Sequence, residues 1–323
     1  MKFFWILSLI VSCKGFLCAY ATVGDPWKKP WFTGSILSLQ GHTNLPEVLT
    51  VQTYLFFTTT YGKYDADSKT HRVTSLNAIE CLINATYGLT HFMDIEVFSS
   101  FVYQNRGSAK QTSLKDTNIL LGFQVLEDKK YSWEPNLRIA LQQVFPTGRY
   151  DHLNPKKRGT DESGKGSYQT GINFDFQKLF KLENEQFFRG RVCIQYLFLP
   201  LSTSIQGMSV YGGSKRTKGR VKVGQTFTLI TAGEYTITQN WVLAMDIQYQ
   251  LIGRSRFSGK IGKSSKRNIV RVGLPLFQQI SIAPAIEYNF SKNIGFIGGF
   301  WFTLAGRNAP QFASGVISTV ITF

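Results

Sequence analysis

The stretch from 241 to 251 alternates between apolar and polar side chains, with a repeat of two residues. Because successive side chains of a strand point to opposite faces, this repeat predicts a strand with one continuous apolar face. The same repeat occurs at 168–176 and 294–304, and long runs of helix-forming residues are missing. One such strand fits the core of a soluble β-sandwich as well as the lipid face of a barrel, so the arrangement of strands along the chain must decide.

Twelve segments of this type follow residue 46, and their connections alternate in length. The short connections lie near 88–92, 127–134, 181–186, 237–241 and 289–293, and the long ones near 62–71, 106–114, 147–166, 201–220, 255–267 and 306–312. Outer-membrane barrels have short turns at one end and long loops at the other, whereas a sandwich has no reason to collect its long loops at one end. The predicted strands are 47–61, 72–88, 92–105, 115–126, 135–146, 167–180, 186–200, 221–236, 241–254, 268–289, 294–305 and 313–323.

The predicted fold is therefore all-β: a transmembrane antiparallel β-barrel of about 12 strands (roughly 10–14) over residues 47–323, with short periplasmic turns and long external loops. Outside the first residues, no window has the roughly 18 consecutive apolar residues that a membrane-spanning helix needs.

The N-terminus has the features of a secretory signal peptide. Lys2 is followed by an apolar run and by the cleavage pattern Ala19-Tyr20-Ala21, which predicts a signal peptide over 1–21, cleaved near Ala21. Residues 22–46 are then a periplasmic lead or a lumen plug. The sequence Ile10-Val11-Ser12-Cys13 resembles a lipoprotein box, so acylation at Cys13 is the alternative to simple cleavage.

The segment 315–323 is an alternating apolar strand that ends on an aromatic residue. In a barrel the last strand pairs with the first, and a terminal aromatic lies at the membrane interface. We therefore expect Ile321 and Phe323 to form an assembly signal for the barrel assembly machinery. The edge strand of a soluble protein is the alternative interpretation.

Turning the apolar faces outward places a set of charged residues inside the barrel. Buried charges need partners, so we expect the arginines of this set to bridge its carboxylates. Two interpretations stay open: a constriction that selects permeating solutes, and a structural network that fills the lumen. The expected lumen charge layer consists of Glu80, Asp94, Glu96, Arg138, Asp175, Arg189, Arg191, Glu234, Asp246 and Glu287.

The formal net charge is +16, and much of this excess falls in two connections that are predicted to be external. Such a cluster attracts anions. Lipopolysaccharide phosphates are the nearest abundant anions in an outer membrane, and an anionic solute or host glycan is the alternative. Nucleic acid is not expected, because no aromatic residues are interleaved with the charges. The predicted external anion-binding residues are Lys215, Arg216, Lys218, Arg220, Lys222, Arg254, Arg256, Lys260, Lys263, Lys266 and Arg267.

Motifs for catalysis and metal binding are missing from the sequence. The four histidines have no metal-ligand spacing, and neither G-x-S-x-G nor a P-loop occurs. Cys81 and Cys193 lie far apart in different predicted strands, so we expect two buried free thiols. We therefore expect no enzyme activity, no cofactor and no metal site.

Two short motifs resemble a known family. Phe145-Pro146-Thr147-Gly148-Arg149, followed by Gly-Lys-Gly-Ser-Tyr at 164–168, is similar to the P-T-G loop of the Gram-negative outer-membrane family named for the MetA pathway of phenol degradation. The segments 87–90 and 234–238 are similar to its E-Y-G-L-T hairpin ends, although Thr236 stands in place of glycine. The resemblance spans about residues 47–323. It implies a transporter-like barrel for hydrophobic or aromatic compounds and no catalytic residue.

These patterns together predict a channel in the outer membrane of a Gram-negative bacterium for passive uptake of small solutes, including hydrophobic or aromatic ones. The alternative is a structural or adhesion barrel with a closed lumen and anion-binding external loops. The expected partners are outer-membrane lipid and lipopolysaccharide, the barrel assembly machinery and a small-molecule solute.

Deletion of Phe323 tests the predicted assembly signal. We expect the amount of barrel in the membrane fraction to fall while export through the inner membrane is unchanged, because only the last strand is altered. Fractionation followed by immunoblotting measures both quantities. Unchanged assembly would contradict the predicted role of this residue.

Overall fold

The structure is a computed structural model that describes residues 30–129, 132–182, 186–262 and 270–323. Within these residues the chain forms sixteen strands and one 3-10 turn, Pro155–Lys157. The predicted signal peptide and Cys13, together with Lys263, Lys266 and Arg267, lie outside the described residues. The strands are β1 Leu49–Tyr64, β2 Thr70–Thr90, β3 Met93–Arg106, β4 Ala109–Leu114, β5 Thr117–Leu126, β6 Asn136–Phe145, β7 Gln169–Lys181, β8 Phe187–Pro200, β9 Thr203–Gln206, β10 Lys218–Lys222, β11 Thr226–Thr236, β12 Trp241–Ile252, β13 Arg256–Lys260, β14 Phe277–Asn289, β15 Ile294–Arg307 and β16 Pro310–Thr322.

Twelve of these strands form a closed antiparallel barrel, which confirms the predicted fold class. Neighbouring strands in the wall are β1, β2, β3, β5, β6, β7, β8, β11, β12, β14, β15 and β16, and the ring closes where β16 pairs with β1. At this seam Thr50 lies opposite Thr322, and the main-chain N–H of Phe323 donates to Leu49 O at 2.8 Å. Closure removes the sheet edges that lipid does not tolerate.

The connections at the end where β1 begins are short, with only 91–92 between β2 and β3 and 237–240 between β11 and β12. At the other end, the connections 146–168, 201–225 and 253–276 are long; of the last, the structure describes 253–262 and 270–276.

Three connections predicted to be long, near 62–71, 106–114 and 306–312, are shorter in the structure, and most of 106–114 is strand β4, which pairs with β3. Only residues 65–69 separate β1 from β2, and only 308–309 separate β15 from β16. The sequence prediction ended each strand where apolar alternation ceased. The main-chain pairing continues further, through residues that are polar on both faces, and Lys63 still lies opposite His71.

The side chains separate by face as the alternation predicts. On β12, Met245 on the outer surface is 47% exposed, whereas its neighbour Asp246 in the lumen is 0% exposed. Both described cysteines are free thiols, but only Cys193 is buried. Cys81 is partly exposed, so the expectation of two buried thiols is wrong for that residue. Its partner in β1 is the exposed outer-surface residue Leu55, so Cys81 lies on the lipid-facing side.

Of the four strands outside the twelve-stranded wall, β4 pairs with the outer part of β3, and the other three form a small antiparallel sheet in the order β9–β10–β13. It is built from the connections 201–225 and 253–276, beyond the ends of the barrel strands. One face of this sheet packs on a buried apolar cluster that includes Ile205, Tyr211 and Val221. The prediction had merged β10 with β11 into one strand over 221–236; residues 223–225 separate them.

No helix among the described residues is long and apolar enough to cross a membrane.

The assignment of the outer surface of β12 to lipid predicts the effect of a charge placed there. Met245→Arg should lower the free energy of unfolding by about 2–4 kcal/mol, because the guanidinium would enter the apolar band. Urea unfolding in lipid vesicles measures this. Thr74→Arg, close to the native Arg72 at the outer end of β2, is the matched control and should change little. Equal effects of both changes would contradict the assignment.

Candidate functional site

The lumen contains all ten residues of the predicted charge layer; nine of them form three groups, and Glu80 lies apart from these, paired with Lys115. In the first group Arg138 on β6 is 1% exposed and bridges carboxylates from two other strands. Its Nη2 lies 2.8 Å from Asp94 Oδ1 and 3.1 Å from Glu96 Oε2, and its Nη1 lies 3.4 Å from Asp175 Oδ2. Each guanidinium nitrogen of this buried cation donates to a carboxylate, and such charge-assisted hydrogen bonds offset part of the cost of burying the charges.

A glycine makes this group possible. β5 lies between β3 and β6 in the wall, so Arg138 must reach across β5 to meet Asp94. The residue that pairs with Asp94 on β5 is Gly122. A Cβ at this position would overlap both the Arg138 guanidinium and the Asp94 carboxylate. The crossing of the ion pair over the strand therefore requires glycine at 122.

The second group is on β8 and β11. Arg189 donates through Nε and Nη2 to the carboxylate of Glu234, with Nη2 2.7 Å from Oε1. Arg191 Nε lies 3.5 Å from Glu234 Oε2. The Arg189 guanidinium also stacks over the ring of Phe32, 3.9 Å from its centroid. Two cations thus share one carboxylate, and Phe32 brings in the segment that precedes the barrel.

That segment, residues 30–46, supplies the partners of the third group, Asp246 and Glu287. The Asp246 carboxylate accepts from the main-chain N–H groups of Ile36 at 2.9 Å, Leu37 at 3.3 Å and Ser38 at 3.2 Å. Glu287 Oε2 accepts from the N–H of Thr33 at 2.8 Å. Within the described residues neither carboxylate forms an ion pair. Main-chain dipoles therefore compensate these two buried charges.

The rest of the segment continues along the inner wall towards β1. Gln124 on β5 accepts from the N–H of Thr43 at 2.7 Å. Asn44 Nδ2 donates to Thr86 O at 3.0 Å, and its main-chain N–H lies 3.4 Å from Asp94 Oδ2. The segment thus crosses the lumen from β14 to β2. Side-chain hydrogen bonds hold it in the lumen, and it forms no strand.

Two cavities lie on opposite sides of this segment. A cavity of about 1260 Å³ opens at the short-turn end and is lined by residues such as His91, Trp133 and Lys292. A second cavity, of about 290 Å³, lies deeper in the barrel. Residues 33–40 line the deeper cavity, and Thr33 and Gln40 at the two ends of this stretch, together with Arg191, line both cavities. The stretch 33–40 thus lies at the boundary of the two cavities, and we call it the partition. The lumen is therefore not filled by side chains of the wall.

The deeper cavity has an apolar side and a charged side. Tyr54 and Phe56 on β1 and Trp301 on β15 form its aromatic wall, with ring centroids 5.7 Å apart for Tyr54–Phe56 and 6.1 Å for Phe56–Trp301. Beside this aromatic wall, Glu80 on β2 lies directly opposite Phe56 in the strand pair, and Lys115 Nζ lies 2.9 Å from Glu80 Oε2. Such a cavity can hold a small ring compound against the aromatic wall and offer it a polar contact.

Sequence reasoning missed several of these residues. The predicted strand 115–126 begins at Lys115, and the pattern assigns this residue no role in the lumen. The inward aromatics of β1 stand in the apolar run Tyr54–Phe57, in which both faces are apolar. Such a run signals a strand whose inner face is also apolar, and this signal could have identified Tyr54 and Phe56.

The motif 145–149, which carries the family resemblance, is joined to 164–168 by Asp116. Its carboxylate accepts from the N–H of Gly148 at 2.9 Å and from the N–H of Lys165 at 2.7 Å. Tyr211 donates to Lys165 O at 2.6 Å, and burial raises the pKa of this phenol, which keeps it protonated. The loop 146–168 is thereby tied to the connection 201–225.

The predicted external cations that the structure describes are all exposed: Lys215, Arg216, Lys218, Arg220, Lys222, Arg254, Arg256 and Lys260. Five of them lie on the small sheet of β9, β10 and β13, and the others lie in the adjoining connections. None of the eight lines either cavity.

Comparison with known proteins identifies the barrel fold. No protein-family model and no curated protein matches the chain. The structure is similar to that of an outer-membrane channel from Pseudomonas putida F1, with a TM-score of 0.64 and 11% identity, covering 90% of this chain and 100% of the other. At this identity the likeness shows a shared fold, that of an outer-membrane β-barrel. The resemblance to the MetA-pathway family stays a prediction.

More distant similarities have TM-scores of 0.42. One is to the P. putida toluene transporter TodX, with 11% identity over 91% of this chain and 96% of the other. Another is to the translocator domain of the autotransporter NalP from Neisseria meningitidis, with 8% identity over 87% of this chain and 90% of the other.

The crossing of Arg138 over β5 makes a prediction about stability. Gly122→Ala should lower the free energy of unfolding by about 1–3 kcal/mol, because the added methyl group overlaps a buried ion pair that has no room to move. Gly315→Ala is the matched control, since a Cβ at 315 meets nothing within 4 Å. The folded barrel migrates faster than the unfolded chain on an SDS gel, so the temperature at which this faster band disappears measures the stability of each variant. Similar unfolding temperatures for the two variants would show that the crossing of Arg138 over β5 tolerates a side chain at position 122.

Proposed function

We propose that the protein is a channel for passive uptake of small solutes across the outer membrane of a Gram-negative bacterium, with residues 30–46 as its gate. The observation that carries this proposal is the partition 33–40 between two lumen cavities of about 1260 and 290 Å³. The mature chain would be exported by its signal peptide and inserted by the barrel assembly machinery into lipid and lipopolysaccharide.

The way in which the partition is held supports a movable gate. Asp246 and Glu287 bind main-chain N–H groups, so their contacts do not depend on one bulky side chain locked into the wall. Hydrogen bonds to charged groups contribute about 1.5–3 kcal/mol each. Water entering the lumen can replace them, whereas the main-chain pairing of the wall stays intact. The segment can therefore leave without unfolding of the barrel.

The deeper cavity supports a class of solute. Its aromatic wall of Tyr54, Phe56 and Trp301 favours small apolar or aromatic molecules, and the Lys115–Glu80 pair offers a polar contact. Because burial of a ring needs no charge on the solute, we infer that hydrophobic or aromatic compounds pass along this wall.

A closed surface barrel is the second candidate, and one observation favours it. The segment completes the charge compensation of the lumen, as a permanent structural plug would. The two candidates differ in whether the segment ever leaves, and conductance measures that directly.

A cross-link between the segment and the wall tests the gate. A Cβ built at Gly295 lies 3.0 Å from the Cβ of Thr33, so a shift of about 0.5 Å between segment and wall brings the pair to the roughly 3.5–4.5 Å separation of a disulfide. In a chain without the native cysteines, Thr33→Cys with Gly295→Cys should conduct in planar bilayers when reduced and lose most of its conductance when oxidised. Since β1 begins at Leu49, the bond fixes the segment at both ends.

Each single cysteine variant is the control and should not respond to oxidation. Asp246→Asn is the opposite change: the loss of charge at an acceptor of three N–H groups should raise the open fraction about tenfold. Asp67→Asn, which removes an exposed charge in the connection 65–69 at the other end of the barrel, should leave it unchanged. Equal conductance of the oxidised and reduced double variant would overturn the gate, and no conductance in any variant would overturn the channel.

A further inference from the structure

We propose that the exposed face of the β9–β10–β13 sheet binds the phosphate groups of the lipopolysaccharide around the barrel. The pairing of β10 with β13 brings cations together in register. Lys218 lies opposite Lys260, and Lys222 lies opposite Arg256. Arg220 lies between the two pairs, opposite Ser258. All five cationic side chains are exposed, and none forms an ion pair with a described residue.

Such an arrangement is unfavourable in the protein alone. Directly opposed like charges on a sheet destabilise the strand pair. Neighbouring strands lie about 4.8 Å apart, and alternate residues of one strand about 6.7 Å apart. The cations therefore form a flat grid at spacings that let one phosphate touch two of them. An anionic ligand with several phosphates removes the repulsion and gains charge-assisted hydrogen bonds.

The orientation of the sheet identifies the source of these phosphates. Its other face packs on the apolar cluster with Ile205 and Val221, which includes Tyr150 of the loop 146–168. The cationic face is therefore turned away from that loop. β9 follows the wall strand β8 with only 201–202 between the two strands. The sheet is therefore attached at the rim of the barrel, beside the surrounding lipid.

This position excludes two other ligands. A permeating solute does not meet these cations, because none of them lines a lumen cavity. A single-stranded nucleic acid would need stacking partners among the charges, but the one aromatic residue of β10 and β13, Phe257, packs against the apolar cluster. Phosphates carried by lipid beside the barrel are the nearest abundant polyanion at this height, and the test below distinguishes them from soluble polyanions.

The test compares two sets of three lysines in the full-length barrel. The patch variant is Lys218→Gln/Lys222→Gln/Lys260→Gln. The control variant is Lys63→Gln/Lys110→Gln/Lys156→Gln, which removes the same charge from exposed sites at the outer end but away from the sheet. Binding to vesicles that contain diphosphorylated lipid A is measured at several salt concentrations. The patch variant should bind roughly tenfold more weakly with a shallower salt dependence, and the control should stay within twofold of the native chain.

Further experiments identify the source of the phosphates and show whether a loss of binding is caused by misfolding. Vesicles with dephosphorylated lipid A should not distinguish the native chain from the patch variant. Soluble polyphosphate should compete only weakly, because it is not held beside the barrel. Lys218→Arg/Lys222→Arg/Lys260→Arg keeps the charges and should restore binding. Equal losses in patch and control variants, or binding of polyphosphate without binding of lipid A, would overturn the proposal.

Discussion

Main-chain pairing between the first and last strands of the wall is the interaction on which the rest of the structure depends. In lipid, an unpaired N–H or C=O group costs several kcal/mol, so a sheet with free edges is excluded. β16 meets β1 from Thr322–Thr50 at one end to Pro310–Lys63 at the other, and the ring is closed. Once the wall is closed and its outer face is apolar, every charged side chain at membrane depth has only the interior to occupy.

The interior then has a problem of charge balance, and the segment 30–46 is part of the solution. Seven carboxylates face four cations, if Lys115 is counted with the three arginines. Arg138 serves three carboxylates, and two arginines share Glu234. Asp246 and Glu287 are compensated by main-chain N–H groups of the segment instead. The same contacts that stabilise the lumen thus set the energy of opening, which couples stability to the proposed gating.

The net charge of +16 is a sum over the whole chain and describes neither the lumen nor the external β9–β10–β13 sheet. The lumen is rich in carboxylates, and cations are concentrated on a small sheet outside it. This separation lets the two regions act on different molecules. The lumen wall, with Trp301 and Phe56 on one side, suits a small solute, whereas the grid around Arg220 suits phosphates beside the barrel.

Alternation along the chain was enough to predict the barrel, its strand number and ten inward charged residues, because side chains of a strand point alternately to its two faces. It missed Tyr54 and Phe56, because both faces of β1 are apolar there. Sequence could not show that Arg138 reaches Asp94 across Gly122, that Lys115 pairs with Glu80, or that Ile36 donates to Asp246. These contacts join residues 35 to 210 positions apart and depend on which strands become neighbours after closure. Local periodicity therefore determined the wall, and only the closed ring decided how the lumen charges are shared and where the segment before β1 lies.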